Sequence, residues 1–334
     1  MKKIAFSHFG KVCGAAGVQG FFGEGYRFHT FTRPNFAGMS FTTKTFTIEE
    51  RLGKEVGKGN ALLRPDAITL AEFFPACVEV SFLTGHTLNA VGLSNCGLKY
   101  ALEMGKLQAR KEPFRLSFMA VGKTVSQREE EYRELVSLLK FHLSNFRAPF
   151  ILQDNKSCPN VAKNAGADSF SIATCDPLDS LFVSEVQASV RRVAVLGLNH
   201  ELKFSVTTAP RTVFSIVKEF KENVGICVSN TIPWGRFSDK IPWGKLFGSK
   251  VSPLAHLGGG GLSGPLLLDL VVEWLGGFRQ LDEYTNVNAG GGVFRARDVD
   301  RLKHARANSV FVGTVATLRP WRLQSIIRRA NEVF

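Results

Sequence analysis

No C-x-x-C pair occurs in this 334-residue chain, although it carries six cysteines: Cys13, Cys77, Cys96, Cys158, Cys175 and Cys227. That spacing offers no zinc site, and no iron–sulfur cluster held by this chain alone. So few cysteines in so long a chain do not make a disulfide scaffold either; reduced thiols and a cytoplasmic setting are expected. Basic Met1-Lys2-Lys3 is followed by no apolar signal core. The apolar stretch Pro265–Phe278 is short and carries Asp269 and Glu273, which excludes a membrane span there. Forty-two Lys and Arg against 29 Asp and Glu leave a formal charge of +13, yet no five basic residues stand in a row. The charge is spread out and favours anionic partners, whether phosphates, carboxylates, nucleic acid or an acidic surface. No linker or low-complexity tract divides the chain, so one domain over 1–334 is expected.

What is present is a repeated strand–helix pattern. Phe114–Val121 reads as a strand. Ser126-Gln127-Arg128-Glu129 then reads as a capping box, and Tyr132, Leu135, Val136, Leu139 and Leu143 follow at helical spacing. Further strands are expected at Phe150–Gln153, Leu202–Val206, Ile226–Ser229, Asn286–Asn288 and Val310–Val312. Helices are expected near 178–196, on the face Val213, Ile216, Val217 and Phe220, near 264–275 and 297–305, and at the C-terminus. Repeated βα units imply parallel strands with helical crossovers. Their number and the length suit a closed (β/α)8 TIM barrel, with the irregular region 52–90 as an insertion near its mouth.

The polar candidates fall at strand ends, which in such a barrel share one rim. Asn155-Lys156-Ser157-Cys158-Pro159-Asn160 puts a thiol between two amides. Cys158 can exchange a proton, and Asn155 and Asn160 can grip a planar polar ring. Lys203 lies within the next strand, and Asn230 and Thr231 follow the one after. Lys44, in a β-branched run, is costly to bury without an anionic or polar partner. Asn89 sits in a turn-like run. Two glycine-rich stretches, Gly258–Gly264 and Gly290-Gly291-Gly292, are shaped for a phosphate. Gly259-x-Gly261-x-x-Gly264 fits a dinucleotide fingerprint by letter, but no clear strand precedes it and no acidic residue is placed for a ribose. No metal site is expected.

Together these residues resemble the dihydroorotate dehydrogenase family, from about Cys13 to the C-terminus. Ala15-Ala16-Gly17 and Thr43-Lys44-Thr45, with Glu50-Arg51-Leu52-Gly53, are similar to the family's first two strand ends. Asn89-Ala90-Val91-Gly92-Leu93 resembles its substrate-side turn, and the Asn155–Asn160 run is the nearest match. Lys203 matches the flavin lysine, and Asn230-Thr231 the later substrate pair. Gly260-Gly261, Gly291-Gly292 and Gly313-Thr314 resemble its phosphate loops. The chain departs from the family pattern at Phe204-Ser205-Val206, where a proline-containing run is usual, and at Ala90-Val91.

The resemblance implies FMN at the barrel top, held by Ala16, Gly17, Lys44, Asn155, Lys203 and the three glycine loops. It implies a dihydropyrimidine substrate, most simply dihydroorotate, held by Lys44, Asn89, Asn155, Asn160, Asn230 and Thr231. Cys158 would be the base and Lys203 the second catalytic group. Cys rather than Ser at 158 implies the soluble class, and a first motif near Cys13 leaves no room for a membrane-associating extension. Electrons would leave to fumarate from a homodimer, or to NAD through a partner subunit carrying FAD and an iron–sulfur cluster. Two alternatives stand beside this. A tRNA dihydrouridine synthase is also an FMN barrel with a comparable Cys loop, and the positive charge suits RNA, but no helical RNA domain follows the last strand. A non-catalytic FMN-binding barrel is the other, since fold alone does not fix function.

Overall fold

The computed structural model describes residues 4–53, 59–158, 180–220 and 223–334. Eight parallel strands form the central sheet: β1 (Val12–Gly14), β2 (Phe41–Thr42), β5 (Phe114–Phe118), β6 (Phe150–Asn155), β7 (Asn199–Phe204), β8 (Val224–Val228), β11 (Val287–Gly290) and β12 (Ser309–Val312). Their spatial order is β1-β12-β11-β8-β7-β6-β5-β2. Ser40 joins the two ends. Its amide donates to Val12 O at 2.9 Å and its carbonyl accepts from Gly14 N at 3.0 Å. The sheet therefore curls into a ring, and a helix or helical turn follows each strand, as in a (β/α)8 barrel.

The expected strands all lie where strands form, with ends shifted by a few residues. The helix after β5 runs Val125–His142, and its cap differs from expectation. Thr124, not Ser126, is the N-cap: Gln127 N donates to Thr124 Oγ1 at 3.2 Å, and Gln127 Oε1 accepts from Thr124 N at 3.2 Å. Both pairs satisfy the capping-box spacing. Starting two residues earlier lets Glu131 Oε2 accept from Val121 N and Gly122 N, at 2.6 and 3.0 Å.

The region expected to be irregular contains a hairpin, β3 (Val78–Ser81) and β4 (His86–Asn89). It joins β9 (Ile232–Pro233) and β10 (Gly261–Ser263) in a second, antiparallel sheet ordered β3-β4-β10-β9. Because β9 follows β8 by three residues, this small sheet sits at the carboxyl end of the barrel. Asn89 is in register with Gly261, and Gly261 with Pro233.

Alternation within the strands sorts the core into two layers. Phe114, Leu116, Phe118, Phe150 and Leu152 face the helices. The inward positions are unusually polar for a barrel core. Arg115 Nε donates to Glu201 Oε2 at 3.3 Å with both side chains almost fully buried. Gln153 Nε2 donates to Glu201 Oε1 at 2.7 Å, and Asn288 Nδ2 to Cys13 Sγ at 3.3 Å. Burial raises the Cys13 and Cys227 thiols, so both stay protonated in this layer.

Candidate active site

The layer above this polar floor holds the residues singled out in the sequence. Asn155 ends β6 pointing inward, with its backbone in register with Lys203 on β7. Lys203 is in register with Cys227 on β8. Asn230 follows β8, and its amide donates to Asn155 Oδ1 at 2.9 Å and to Ser157 Oγ at 3.2 Å. Residues 75 apart in sequence thus become one hydrogen-bonded pair. Asn155 Oδ1 also accepts from Ser157 N at 3.2 Å, and Thr231 N donates to Asn230 Oδ1 at 3.0 Å. These bonds fix which way both side-chain amides face. The Asn155 NH2 group makes none of them, and it is the end left to meet a ligand.

Lys203 is 7% exposed, and among the described residues its amine makes no hydrogen bond or ion pair. A buried, unpartnered ammonium is costly and marks a place built for something anionic or electron-rich. Lys44 follows β2 in the same condition, half-buried, with Nζ 4.8 Å from the centre of the Phe21 ring. Burial pushes its amine down to about 8, and nearby Cys77 and Glu24 offset only part of that. Gly17 adjoins it: a Cβ there would lie 3.3 Å from Lys44 Cγ. Cys158 is half-buried at the end of the β6 segment. Asn160 lies outside the described residues.

The glycine loops divide into two kinds. Gly260 and Gly261 are engaged in the antiparallel sheet, where Gly260 O accepts from Trp234 N at 3.1 Å and Gly261 O from Asn89 Nδ2 at 3.3 Å. Asn89 is therefore placed in the sheet above the mouth. The amides of Gly291, Gly292, Gly313 and Thr314 donate no backbone hydrogen bond among the described residues. Gly292 needs its φ of +84°, and a Cβ there would come within 2.5 Å of Leu268 N. Ala16 lies in the turn after β1, where Gly313 packs against neighbouring Ala15.

Two contributors were not singled out individually. Ser157 Oγ accepts from Asn230 and reaches Lys203 O at 3.3 Å, so it ties three strand ends together. Its only signal was its place inside the Asn155–Asn160 run. Arg51 donates Nε to Gly92 O at 3.1 Å. Burial lowers its guanidinium below the usual range, and charge on Cys158 works to raise it.

A family model described as dihydroorotate dehydrogenase matches residues 75–334. The chain belongs to the dihydroorotate dehydrogenase family. Among relatives, dihydroorotate dehydrogenase A (fumarate) of Lactobacillus delbrueckii subsp. bulgaricus is 27% identical over 71% of this chain and 68% of that protein. The catalytic subunit of dihydroorotate dehydrogenase B (NAD(+)) of Anoxybacillus flavithermus is also 27% identical, over 72% of this chain and 68% of that protein. A ligand-free dihydroorotate dehydrogenase structure from Eimeria tenella superimposes with a TM-score of 0.64 at 17% identity, covering 97% of this chain and 82% of that one. That likeness shows the fold. No helix among the described residues is long and apolar enough to cross a membrane, and no cluster of metal-ligating side chains occurs among them.

Proposed function

We propose that this member of the dihydroorotate dehydrogenase family oxidises dihydroorotate to orotate with FMN as its cofactor. The observation that carries the reading is Lys203, a cation without a partner among the described residues, beside the Asn155–Asn230 pair. The residues present fit FMN. Four backbone amides, at Gly291, Gly292, Gly313 and Thr314, are oriented by loops at two adjacent strand ends and have no backbone acceptor among the described residues. They suit a phosphate, with Gly260 and Gly261 shaping the wall through the small sheet. Ala16, Gly17, Lys44 and Asn155 would line the remaining edge.

When bound, FMN would supply a two-electron acceptor for the hydride that leaves C6 of dihydroorotate. Cys158 takes the proton from C5, so the substrate loses one proton and one hydride and gains a double bond. A thiol ordinarily titrates near about 8.5, so the rate of proton removal should rise with pH towards that value. Lys203 would hold the flavin ring system and offset negative charge on it. Asn155, Asn230, Thr231, Lys44, Asn89 and Asn160 meet the substrate's polar edges. A site that answers every ring donor and acceptor rejects analogues lacking one.

The deciding experiment is the visible spectrum of the purified protein without oxygen, before and after dihydroorotate. A flavin spectrum that bleaches supports the reading. One that persists with dihydroorotate, but bleaches with another dihydropyrimidine or binds tRNA in a salt-sensitive way, moves the substrate. A protein that cannot be loaded with FMN overturns it. Relatives named for fumarate and for NAD match at the same 27% identity. Steady-state assays with each acceptor therefore decide between a self-sufficient homodimer and a complex with an FAD- and iron–sulfur-carrying subunit.

A further inference from the structure

The segment that carries Asn155 and Ser157 into the site carries two charged side chains the other way. Asp154 and Lys156 point out of the barrel into the layer between β6, β7 and the helices Val125–His142 and Ser180–Ala194. Both are essentially buried, at 0% and 3% side-chain exposure, and Lys156 Nζ lies 2.8 Å from Asp154 Oδ2. Lys156 Nζ also donates to Tyr132 Oη, and to Ser189 Oγ at 2.9 Å. All three ammonium protons are used. Tyr132 donates to Asp154 at 2.8 Å, and His200 Nε2 donates to Asp154 Oδ2 at 3.1 Å. His200 Nδ1 has no partner among the described residues, which fits a neutral ring with its proton on Nε2. The network is closed and neutral, with one carboxylate and one ammonium. The neighbouring charges, Arg128 and Glu185, pair with each other at 2.7 Å.

We infer that Lys156 is a positioning residue for the Cys158 loop. It pins the backbone between Asn155 and Cys158 to two helices, so that Asn155 and Ser157 face the substrate and Cys158 is presented from a fixed segment. The backbone supports this from the other side, because Lys156 N donates to Lys203 O at 2.9 Å. One peptide unit is therefore held at its amide by β7 and at its side chain by the helix layer. An apolar side chain would fill the same space, but it would not fix the rotation of the segment in the way three directional bonds do. The inference rests on the proposed function only in taking Cys158 as the base.

Two variants test it. Tyr132→Phe keeps the ring that packs against Phe118 and removes the hydroxyl that bridges Asp154 and Lys156. Asp154→Leu/Lys156→Leu removes both charges together and leaves no buried ion unpaired, an exchange that buried pairs often tolerate. The first readout needs no substrate: the rate of iodoacetamide alkylation at Cys158 against pH, followed by peptide mapping on flavin-loaded protein. In either variant that retains its flavin and its circular dichroism, the midpoint should move by at least about half a pH unit as Cys158 leaves the surroundings that the pinned segment gives it. The second readout is flavin reduction by dihydroorotate, expected to slow about 10- to 100-fold with little change in KM. An alkylation profile and kcat that match the unsubstituted protein in a folded variant overturn the inference. An altered alkylation profile in a protein that dihydroorotate never reduces would uphold the positioning and sink the substrate instead.

Discussion

The same substitution at two buried lysines should have opposite effects on stability. Lys156→Met removes an ammonium whose three bonds are all made inside the protein, and it leaves Asp154 at 0% exposure with Tyr132 and His200 as its only donors among the described residues. Burial works against that carboxylate, and Lys156 with the His200 bond more than offsets it, holding its pKa at about 2. Breaking one side of such a pair costs about 3–5 kcal/mol. Lys203→Met removes an ammonium that has no acceptor among the described residues. Nothing is orphaned and a desolvated charge is relieved, so the flavin-free protein should change by about 0 to +2 kcal/mol, in the direction of greater stability. Guanidinium denaturation of flavin-free protein reads both values, and a gap of at least about 3 kcal/mol is expected. With FMN added the order at Lys203 reverses. The unsubstituted protein gains stability from the cofactor by mass action, and Lys203→Met gains less. If Lys203→Met cost as much as Lys156→Met without flavin, Lys203 would be a structural residue and the argument from its missing partner would fail.

Three further outcomes follow from the site and its floor. Cys158→Ser should slow flavin reduction at neutral pH by about 10²- to 10⁴-fold, with the gap narrowing at high pH; a stopped-flow pH series that shows equal rates removes Cys158 as the base. Lys44 has a folded pKa of about 8, below the usual value of about 10.4. Between those values the unfolded chain holds a proton that the folded one has released, so this residue's contribution to stability rises with pH across that window. Orotate affinity should fall as pH rises through about 8 and lose that dependence in Lys44→Gln, which isothermal titration checks. Gly290→Ala would place a Cβ 2.4 Å from Phe311 O on the neighbouring strand. It should cost about 1–3 kcal/mol by overpacking, and a loss under about 0.5 kcal/mol would show that β11 can shift outward freely.

Much of the fold was legible because barrel strands buried on the helix side leave runs such as Phe150-Ile151-Leu152, and the helices keep their period. Strand ends were less legible, because hydrophobicity fades where the chain turns polar. Asp154 and Asn155 belong to β6 although neither is apolar, and Asn199 and His200 open β7 in the same way. The capping box was misplaced by two residues because Ser126 and Thr124 offer the same chemistry, and only the contacts of Glu131 separate them. The Cys158 loop, Lys203 and Asn230 were readable from their order along the chain. Their joining was not, since the Asn230–Asn155 bond closes only when β6, β7 and β8 stand side by side. Asn89 gave the weakest local signal, and its position depends on Gly261, 172 residues away.

Lys156 shows most clearly what a sequence withholds. Inside Asn155-Lys156-Ser157-Cys158 it is a basic residue among active-site letters, which invites a role in holding an anion. Strand alternation sends it the other way, because Asn155 and Ser157 take the inward positions. Its destination then depends on Asp154, Tyr132, Ser189 and His200, which come from two strands and two helices. Lys203 runs the opposite course: it sits in a buried strand, where a lysine reads as a packing oddity, and no acceptor among the described residues meets it. The two residues differ neither in type nor in burial. They differ in whether the described residues supply an acceptor, and on the proposed reading that difference separates the lysine that holds the site from the lysine left for a ligand.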